Sequence, residues 1–303
     1  MEAAAQFAAS ERFDKVILTV RSAEKGPAAI AAAAAQAGKP ETMFSFQTLN
    51  LDSHVNVRAA VKALPHLDAV VLNAGGLGCE ALTEHGVTQN FSMNVLGHAV
   101  LTEGLLAAGK IVTGARVIYS HSETTRSVWL FAGFQPFVRL YKEEMEASLA
   151  QPPMRGTLGV GARQRMNTYA NSKLIGGLWL AQLAKEHPGI YFVSVSPGGC
   201  ATDVYQSAPQ PFPLLMGLKP VIAAFVAIGA CHSVATAARR YVTAVTGETF
   251  PQEFPSGSVV GGPYIQISKP NGVLVDQSAF SSYYADAELQ KEAARVVRAA
   301  AER

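Results

Sequence analysis

The sequence is poor in charged residues and in cysteine, and each shortage excludes classes of function. Charged residues make up 16% of the 303 residues, and the formal net charge is only +2. So small a charge provides no broad basic surface for nucleic acid. The three cysteines, Cys79, Cys200 and Cys231, are too far apart to form a metal or redox motif, and their small number favours a reducing compartment.

Targeting and membrane signals are missing as well. The first residues lack the basic and apolar regions of a secretory signal peptide, so a cytoplasmic location is the default prediction. The most apolar stretch, residues 221–231, is too short to cross a bilayer. We expect a buried or substrate-covering helix there, and contact with a membrane surface stays the alternative.

What the sequence does contain is a regular alternation of short apolar runs and helical stretches. Strands are predicted at five places, residues 16–20, 42–51, 67–76, 115–122 and 189–199. Strands separated by helices are typical of βαβ units, so they predict an α/β, Rossmann-like, doubly wound parallel sheet. A chain of this length with 49% hydrophobic residues can form one such domain over residues 1–303.

Polar or turn-forming residues follow each predicted strand. They are Arg21, Asp52, Asn73-Ala74-Gly75, Ser120 to Ser122, and Pro197-Gly198. In open parallel sheets, ligands bind beyond the carboxyl ends of the strands. The sequence therefore predicts a ligand site at this edge of the sheet.

The segment from Tyr169 to Lys173 predicts an acid–base group. Residues four apart share one helix face, so the Lys173 ammonium is expected near the Tyr169 hydroxyl. A nearby positive charge lowers the pKa of a phenol from about 10, which suits proton exchange at an alcohol or carbonyl. Ser122 would hold a substrate oxygen, and Asn94 is an awkward residue inside a helix. The alternative for Tyr169 and Lys173 is a solvated helix face, and the alternative for Asn94 is an exposed polar position.

Five segments in this order resemble the short-chain dehydrogenase/reductase family. They are "LNAGG", "NFSMNVLGHAVLTEGLL", "RVIYSHS", "YANSK" and "SVSPGGCATDV". The likeness covers residues 1–205 well and the remainder loosely, and it is strongest to the retinol dehydrogenase, carbonyl reductase and protochlorophyllide reductase branch. It implies hydride transfer between a nicotinamide cofactor and a carbonyl or alcohol. Two further regions favour a small apolar substrate. One is an insertion at about 123–166 with Trp129, Phe131 and Phe134, and the other is a covering region at about 203–270.

By this resemblance, Tyr169 is the proton donor, and Lys173 lowers its pKa and holds the nicotinamide ribose. Ser122 positions the carbonyl, with Ser120 as the alternative on the same strand face, and Asn94 supports a proton-relay water. The residues that match cofactor contacts, besides Tyr169 and Lys173, are Arg21, Asp52, Asn73, Ala74, Gly75, Pro197, Gly198 and Thr202. Arg21 favours NADP over NAD, because a guanidinium suits the 2′-phosphate.

One feature of the family is missing from this sequence. The family begins with a strand and a T-G-x-x-x-G-x-G turn, whose amides receive the pyrophosphate. Neither precedes the first helix here, and no other strand is followed by such a turn. Without that strand, residues 16–20 and 70–72 have no common neighbour in the sheet. We expect an N-terminally truncated form of an ordinary enzyme, for which an upstream targeting signal stays open.

Other readings of the same residues remain. The absent turn is compatible with a non-catalytic binding or scaffold protein that has lost cofactor binding. A tyrosine–lysine pair also serves sugar-nucleotide epimerases and dehydratases, although the sequence lacks their large C-terminal substrate domain. The resemblance further implies a homodimer formed through the helices "NFSMNVLGHAVLTEGLL" and "YANSKLIGGLWLAQLA".

Overall fold

The computed structural model describes residues 1–76, 81–125, 145–150, 162–198, 200, 232–262, 274–279 and 282–303, with side chains of the long helix from residue 168 onwards. The helices are α1 (Glu2–Ala9), α2 (Gly26–Ala37), α3 (His54–Ala63), α4 (Gln89–Phe91), α5 (Gly97–Ala107), α6 (Met145–Ala150), α7 (Ala162–Glu186), α8 (Val234–Thr246), α9 (Phe250–Glu253) and α10 (Ala287–Ala301). The strands are β1 (Val16–Val20), β2 (Phe44–Thr48), β3 (Leu67–Leu72), β4 (Ile111–Ser120), β5 (Tyr191–Val195), β6 (Val259–Gly261) and β7 (Val275–Asp276). None of these helices has the length and apolar content needed to span a membrane.

The strands form two sheets. β1 pairs with β2 in parallel, with Val16 opposite Phe44. In the second sheet, β3, β4, β5 and β6 are neighbours in parallel, and the short β7 adds an antiparallel edge. Helices lie between the parallel strands along the chain, as right-handed crossover connections require. The predicted α/β fold with a Rossmann-like parallel sheet is confirmed.

No described strand lies between β1 and β3, in agreement with the missing strand noted in the sequence. The apolar layers nevertheless continue across the two sheets. Val16 packs against the same cluster as Ala69 and Val71, and Ile17 packs against the same cluster as Val70. Val70 and Val71 are only half-buried, because β3 has a strand partner on one edge alone among the described residues. Strands inside a parallel sheet are usually buried on both faces, and these two residues depart from that pattern.

Two apolar layers cover the five-stranded sheet. The larger contains residues of α3, α5, α7 and α10, with Leu105, Trp179 and Val297 fully buried at its centre. The smaller contains Phe7 of α1 and Tyr241 of α8. Burial of such large side chains stabilises each layer by about 1.5–3 kcal/mol per residue. The long helix α7 is thereby fixed against β4 and β5, with its N-terminal half at the edge where the strands end.

The C-terminal helix α10 covers both helices that the resemblance assigns to a dimer interface. Its Arg298 donates to Glu103 of α5 at 2.7 Å and to Glu186 of α7 at 2.5 Å. Glu103 also accepts a hydrogen bond from the Trp179 indole at 2.9 Å. A homodimer through this face would therefore require α10 to leave it.

A close approach of backbones brings α5 to the turn after β2. A Cβ atom on Gly97 would collide with the carbonyl oxygen of Leu51 and would lie 2.8 Å from its Cα. Only glycine permits this contact, because a backbone neighbour cannot rotate away as a side chain can. The contact places the Asn50–Asp52 turn directly against α5, at the same edge of the sheet as the other predicted site residues.

Candidate active site

The predicted site residues meet at one edge of the sheet. Because β3, β4 and β5 are parallel, the segments that follow them lie side by side: Asn73 after β3, Ser122 after β4, and Pro197 after β5. Helix α7 lies over this edge and carries Tyr169 and Lys173. The topology thus brings together residues that are up to 124 positions apart in the sequence.

Ser122 and Tyr169 face each other across this edge. The Ser122 side chain is close enough to the Tyr169 phenol to lower its pKa, whereas the hydroxyl of Ser120 is bonded to Tyr241 of α8 at 2.7 Å. The strand ends at Ser120, so the two-residue alternation of side chains does not continue to Ser122. The expectation that the two serines share one strand face is therefore wrong. Ser120 is directed towards the α8 layer, and Ser122 towards α7.

Lys173 is buried below Tyr169 on the same helix. Its Nζ donates a hydrogen bond to the carbonyl oxygen of Ser120 at 2.8 Å. The same atom lies 5.0 Å from the ring centre of Tyr119 and 5.8 Å from that of Tyr169, within the range of cation–π contacts. Burial lowers the pKa of Lys173 to about 7, so its charge is easily lost or gained near neutral pH.

The pKa of Tyr169 differs from the sequence-based expectation. Burial raises it above the ordinary value of 10, and the nearby Ser122 side chain only partly opposes this effect. Lys173 does not reverse this rise, since its ammonium is directed at the Ser120 carbonyl and burial itself disfavours its charge. Tyr169 is therefore a protonated phenol at neutral pH, the form that can donate a proton.

Asn94 lies in a π-helical turn, Ser92–Leu96, inserted between α4 and α5. Such turns widen the helix and are frequent at functional sites. The side chain of Asn94 is fully buried and clasps the loop after β3: its Nδ2 donates to the Gly76 carbonyl at 2.8 Å, and its Oδ1 accepts from the Gly76 amide at 3.1 Å. The side chain that looked awkward inside a regular helix thus holds a loop of the site.

The main-chain carbonyl of Asn94 also has a protein partner. It accepts a hydrogen bond from the hydroxyl of Tyr119 at 3.0 Å, and Tyr119 is fully buried. A Cβ atom on Gly176 would collide with that hydroxyl, so α7 makes room for it with a glycine. The relay water expected at Asn94 would therefore share this carbonyl with Tyr119.

Two residues of the site were not singled out from the sequence, Tyr119 and His98. His98 is one helical turn beyond Asn94, and its Nε2 is 2.6 Å from the carbonyl oxygen of Ala74. Burial lowers the pKa of His98 to about 4, so it is neutral at physiological pH. Its spacing of four from Asn94 was the available signal. For Tyr119, the available signal was the alternation of side chains along a strand, because it places Tyr119 on the face of β4 that packs against α7.

The residues that the resemblance assigns to a dinucleotide cofactor are suited to contact it. Asp52 is half-buried, and its Oδ1 has no hydrogen-bond partner among the described residues, so it can accept one from an adenine amine. Arg21 is exposed directly after β1, where a phosphate could reach it. Asn73 and Ala74 are exposed in the loop after β3.

Two glycines keep side chains away from the same edge. Gly75 has a φ of +153°, and a Cβ atom there would collide with the Oδ1 of Asn94. Gly198 has a φ of +77°, and a Cβ atom there would lie 2.6 Å from the His232 ring. Thr202, which completes the predicted turn, lies outside the described residues. The sequence offers no glycine-rich turn for the pyrophosphate.

Comparisons with known proteins agree with this architecture. No protein-family model matches the sequence. The chain is 27% identical over 276 residues to the short chain dehydrogenase FGM9 of Gibberella zeae, which covers 88% of this chain and 76% of that protein. It is 29% identical over 202 residues to dehydrogenase/reductase SDR family member 13 of Bos taurus, which covers 65% of this chain. The chain spans about half of that bovine relative, 48% of its length.

Solved structures share the fold over most of the chain. An uncharacterized protein from Mycobacterium paratuberculosis matches 100% of this chain and 90% of its own length, with a TM-score of 0.64 and 20% identity. A short chain dehydrogenase from Burkholderia cenocepacia in complex with NADP matches 85% of this chain and 89% of its own, with a TM-score of 0.53 and 21% identity. An NADH-dependent reductase of alginate metabolism, A1-R′, matches 86% and 88%, with a TM-score of 0.54 and 18% identity.

At these identities, the solved structures show a common fold, and the curated relatives are themselves short-chain dehydrogenases or dehydrogenase/reductases. The segments "LNAGG", "RVIYSHS" and "YANSK" lie at the ends of β3 and β4 and on α7. In its motifs, its curated relatives and its fold, the chain is similar to the short-chain dehydrogenase/reductase family.

Proposed function

We propose that this chain transfers a hydride between NADP and the carbonyl or alcohol carbon of a small apolar substrate. The observation that carries the proposal is the proximity of Ser122 to Tyr169 at the strand edge, with Lys173 buried one helical turn away. Two hydroxyl groups that face each other can bind one substrate oxygen between them. A ketone or aldehyde oxygen fits this arrangement, because it accepts two hydrogen bonds.

The proposed roles follow from the protonation states. In the direction of reduction, the substrate carbon receives a hydride, and its oxygen needs a proton; NADPH supplies the hydride when bound. Tyr169 is protonated at neutral pH and donates that proton. Ser122 holds the oxygen during the transfer. Lys173 stabilises the phenolate that Tyr169 becomes, since an ammonium 5.8 Å from the ring attracts that charge.

The preference for NADP rests on Arg21. The guanidinium is exposed at the end of β1, and a planar fork of donors suits a phosphate. Asp52, the loop Asn73–Gly75 and the turn Pro197–Gly198 would hold the adenine, the ribose and the nicotinamide end. Similar solved structures do not favour either cofactor, because one is a complex with NADP and another is an NADH-dependent reductase.

The nature of the substrate is supported by the sequence alone. The aromatic residues Trp129, Phe131 and Phe134 of the insertion, and the apolar stretch 221–231, lie outside the described residues. We assign them to a cover that excludes water from the substrate, within a single domain over residues 1–303. An apolar cover selects apolar carbonyl compounds and strengthens the electrostatic contacts at Tyr169.

The test is the oxidation of NADPH, followed at 340 nm, with a panel of apolar aldehydes and ketones such as benzaldehyde, hexanal and cyclohexanone. We expect turnover by the wild-type chain and loss of turnover in Tyr169→Phe, with saturable NADPH binding retained in that variant. Ser122→Ala and Ser120→Ala form a matched pair: the first should lower kcat by at least about 100-fold, in the range for removal of a transition-state hydrogen bond. The second should leave kcat within a fewfold of wild type. Turnover that persists in Tyr169→Phe would refute the proposal.

The alternative function is a non-catalytic binding or scaffold protein on the same fold, because fold does not determine function. A cooperatively folded chain that binds neither NADPH nor NADH would favour this alternative over the oxidoreductase.

A further inference from the structure

The short turn that carries Ser122 is connected to a distant part of the chain. The turn runs from Ser122 through a 3-10 helix, Glu123–Thr125. Its distant partner is Tyr284, in a 3-10 helix directly before α10 and 159 positions from Thr125. Contacts between these two segments form a cluster of three side chains, His121, Thr125 and Tyr284, which we call the tether.

The three side chains of the tether form a ring of hydrogen bonds, since each is bonded to the other two. The hydroxyl of Tyr284 donates to Thr125 Oγ1 at 2.5 Å. The Nε2 atom of His121 is 2.9 Å from the Tyr284 hydroxyl and 3.1 Å from Thr125 Oγ1. His121 and Tyr284 are 2% and 6% exposed, so water competes little for these bonds.

The tether reaches Ser122 through Thr125. The hydroxyl of Thr125 accepts from Tyr284 and donates to the carbonyl oxygen of Ser122 at 2.9 Å. The adjacent Thr124 donates to the Ser122 Oγ from its own hydroxyl at 3.0 Å. Because that Oγ accepts from Thr124, its own proton is free to be directed outward, towards Tyr169 or a substrate oxygen. The direction of the serine hydroxyl is therefore set by the turn.

Both ends of the tether are themselves fixed. On the sheet side, Gly177 of α7 leaves room for the imidazole, since a Cβ atom there would lie 3.2 Å from His121 Cε1. On the C-terminal side, the buried Gln290 of α10 donates to the carbonyl oxygen of Tyr284 at 2.6 Å. Glu123 adds a second anchor by accepting from the Gly262 amide at 3.0 Å.

We propose that Tyr284 and His121 are positioning residues that hold the turn of Ser122 and so aim its hydroxyl at Tyr169. The inference rests on the proposed function for its kinetic consequence, but the ordering of the turn is independent of any reaction. The C-terminal segment before α10 thus completes the active site, although it lies far from every motif in the sequence.

The experiment compares Tyr284→Phe with Tyr191→Phe in the full chain. Each variant loses one phenolic hydroxyl and one hydrogen bond, since Tyr191 donates to the Phe254 carbonyl at 2.7 Å. Tyr191 begins β5, at the opposite end of the sheet from the site. Three quantities are measured: kcat and KM for the carbonyl substrate, the dissociation constant for NADPH, and amide hydrogen exchange of residues 120–125.

We expect Tyr284→Phe to lower kcat about three- to tenfold, the effect of one lost hydrogen bond on a barrier. NADPH affinity should stay unchanged, and the amides of residues 120–125 should exchange faster than in wild type. Tyr191→Phe should change none of these quantities. A Tyr284→Phe protein with wild-type kcat and wild-type exchange in this turn would overturn the inference.

The two proposals fail in different ways. If the wild-type chain turns over no carbonyl compound, the proposed function fails, whereas the exchange of residues 120–125 still decides whether the tether orders the turn. If Tyr284→Phe does not fold, Thr125→Val replaces it, because this change removes the hydroxyl between Tyr284 and the Ser122 carbonyl. Faster exchange in that variant supports the tether, and unchanged exchange refutes it.

Discussion

The contact between α5 and the turn after β2 gives a sharp prediction for Gly97→Ala. A Cβ atom at residue 97 would collide with the Leu51 carbonyl and lie 2.8 Å from Leu51 Cα, so either the helix or the turn must move. Overpacking of this kind costs about 1–3 kcal/mol, and a backbone neighbour puts the cost at the upper end. Alanine regains about 1 kcal/mol of helix propensity over glycine. The net loss of unfolding free energy is about 2 kcal/mol.

Gly104→Ala is the matched control on the same helix. The nearest atom to a Cβ at residue 104 is a methyl group of Val61 at 3.1 Å, which can shift by a few tenths of an ångström. The gain in helix propensity is the same, so this variant should be neutral or stabilised by up to about 1 kcal/mol. Urea unfolding followed by circular dichroism measures both. If Gly97→Ala is as stable as Gly104→Ala, the account of this contact is refuted.

Three further predictions follow from single residues. Because the pKa of His98 is about 4 when folded and near 6.5 when unfolded, this residue should lower stability as pH falls from 6.5 to 4, by up to about 3 kcal/mol. The pKa values of His54 and His232 are lowered as well, so the change in urea midpoint between pH 7 and pH 5 is compared in wild type and His98→Gln, and an equal change in both would contradict the prediction. Lys110 donates to three carbonyls at the end of α3, so Lys110→Met should cost about 1–3 kcal/mol in the same assay, and a wild-type midpoint would count against this role. Arg298→Ala should lower the melting temperature by loosening α10, and an unchanged value would mean that apolar packing alone holds this helix.

Much of the sheet could be predicted from local patterns. Residues 16–20 were placed as a strand by their apolar content, and the structure has β1 with the same bounds. The observed β4 begins four residues earlier than predicted and ends at Ser120, two residues earlier. Strand ends are set by pairing with neighbours, in this case β3 and β5, and pairing is not visible in a single sequence.

The site could be predicted only in part. Spacing along a helix is sufficient to place Tyr169 and Lys173 on one face, because the geometry of a helix is local. It does not give the direction of the Lys173 charge, which depends on the Ser120 carbonyl, nor the raised pKa of Tyr169, which depends on burial. Tyr284 had no signal at all, since its partner His121 is 163 positions away.

The central claim is that this chain is a working NADP-dependent oxidoreductase, and cofactor binding tests it most directly. Fluorescence titration with NADPH, with NADH as the comparison, should show saturable binding that is tighter for NADPH. Arg21→Asp should remove the preference for NADPH, because it replaces the cation that would meet the 2′-phosphate with an anion. A folded chain that binds neither cofactor would contradict the claim and favour the non-catalytic alternative.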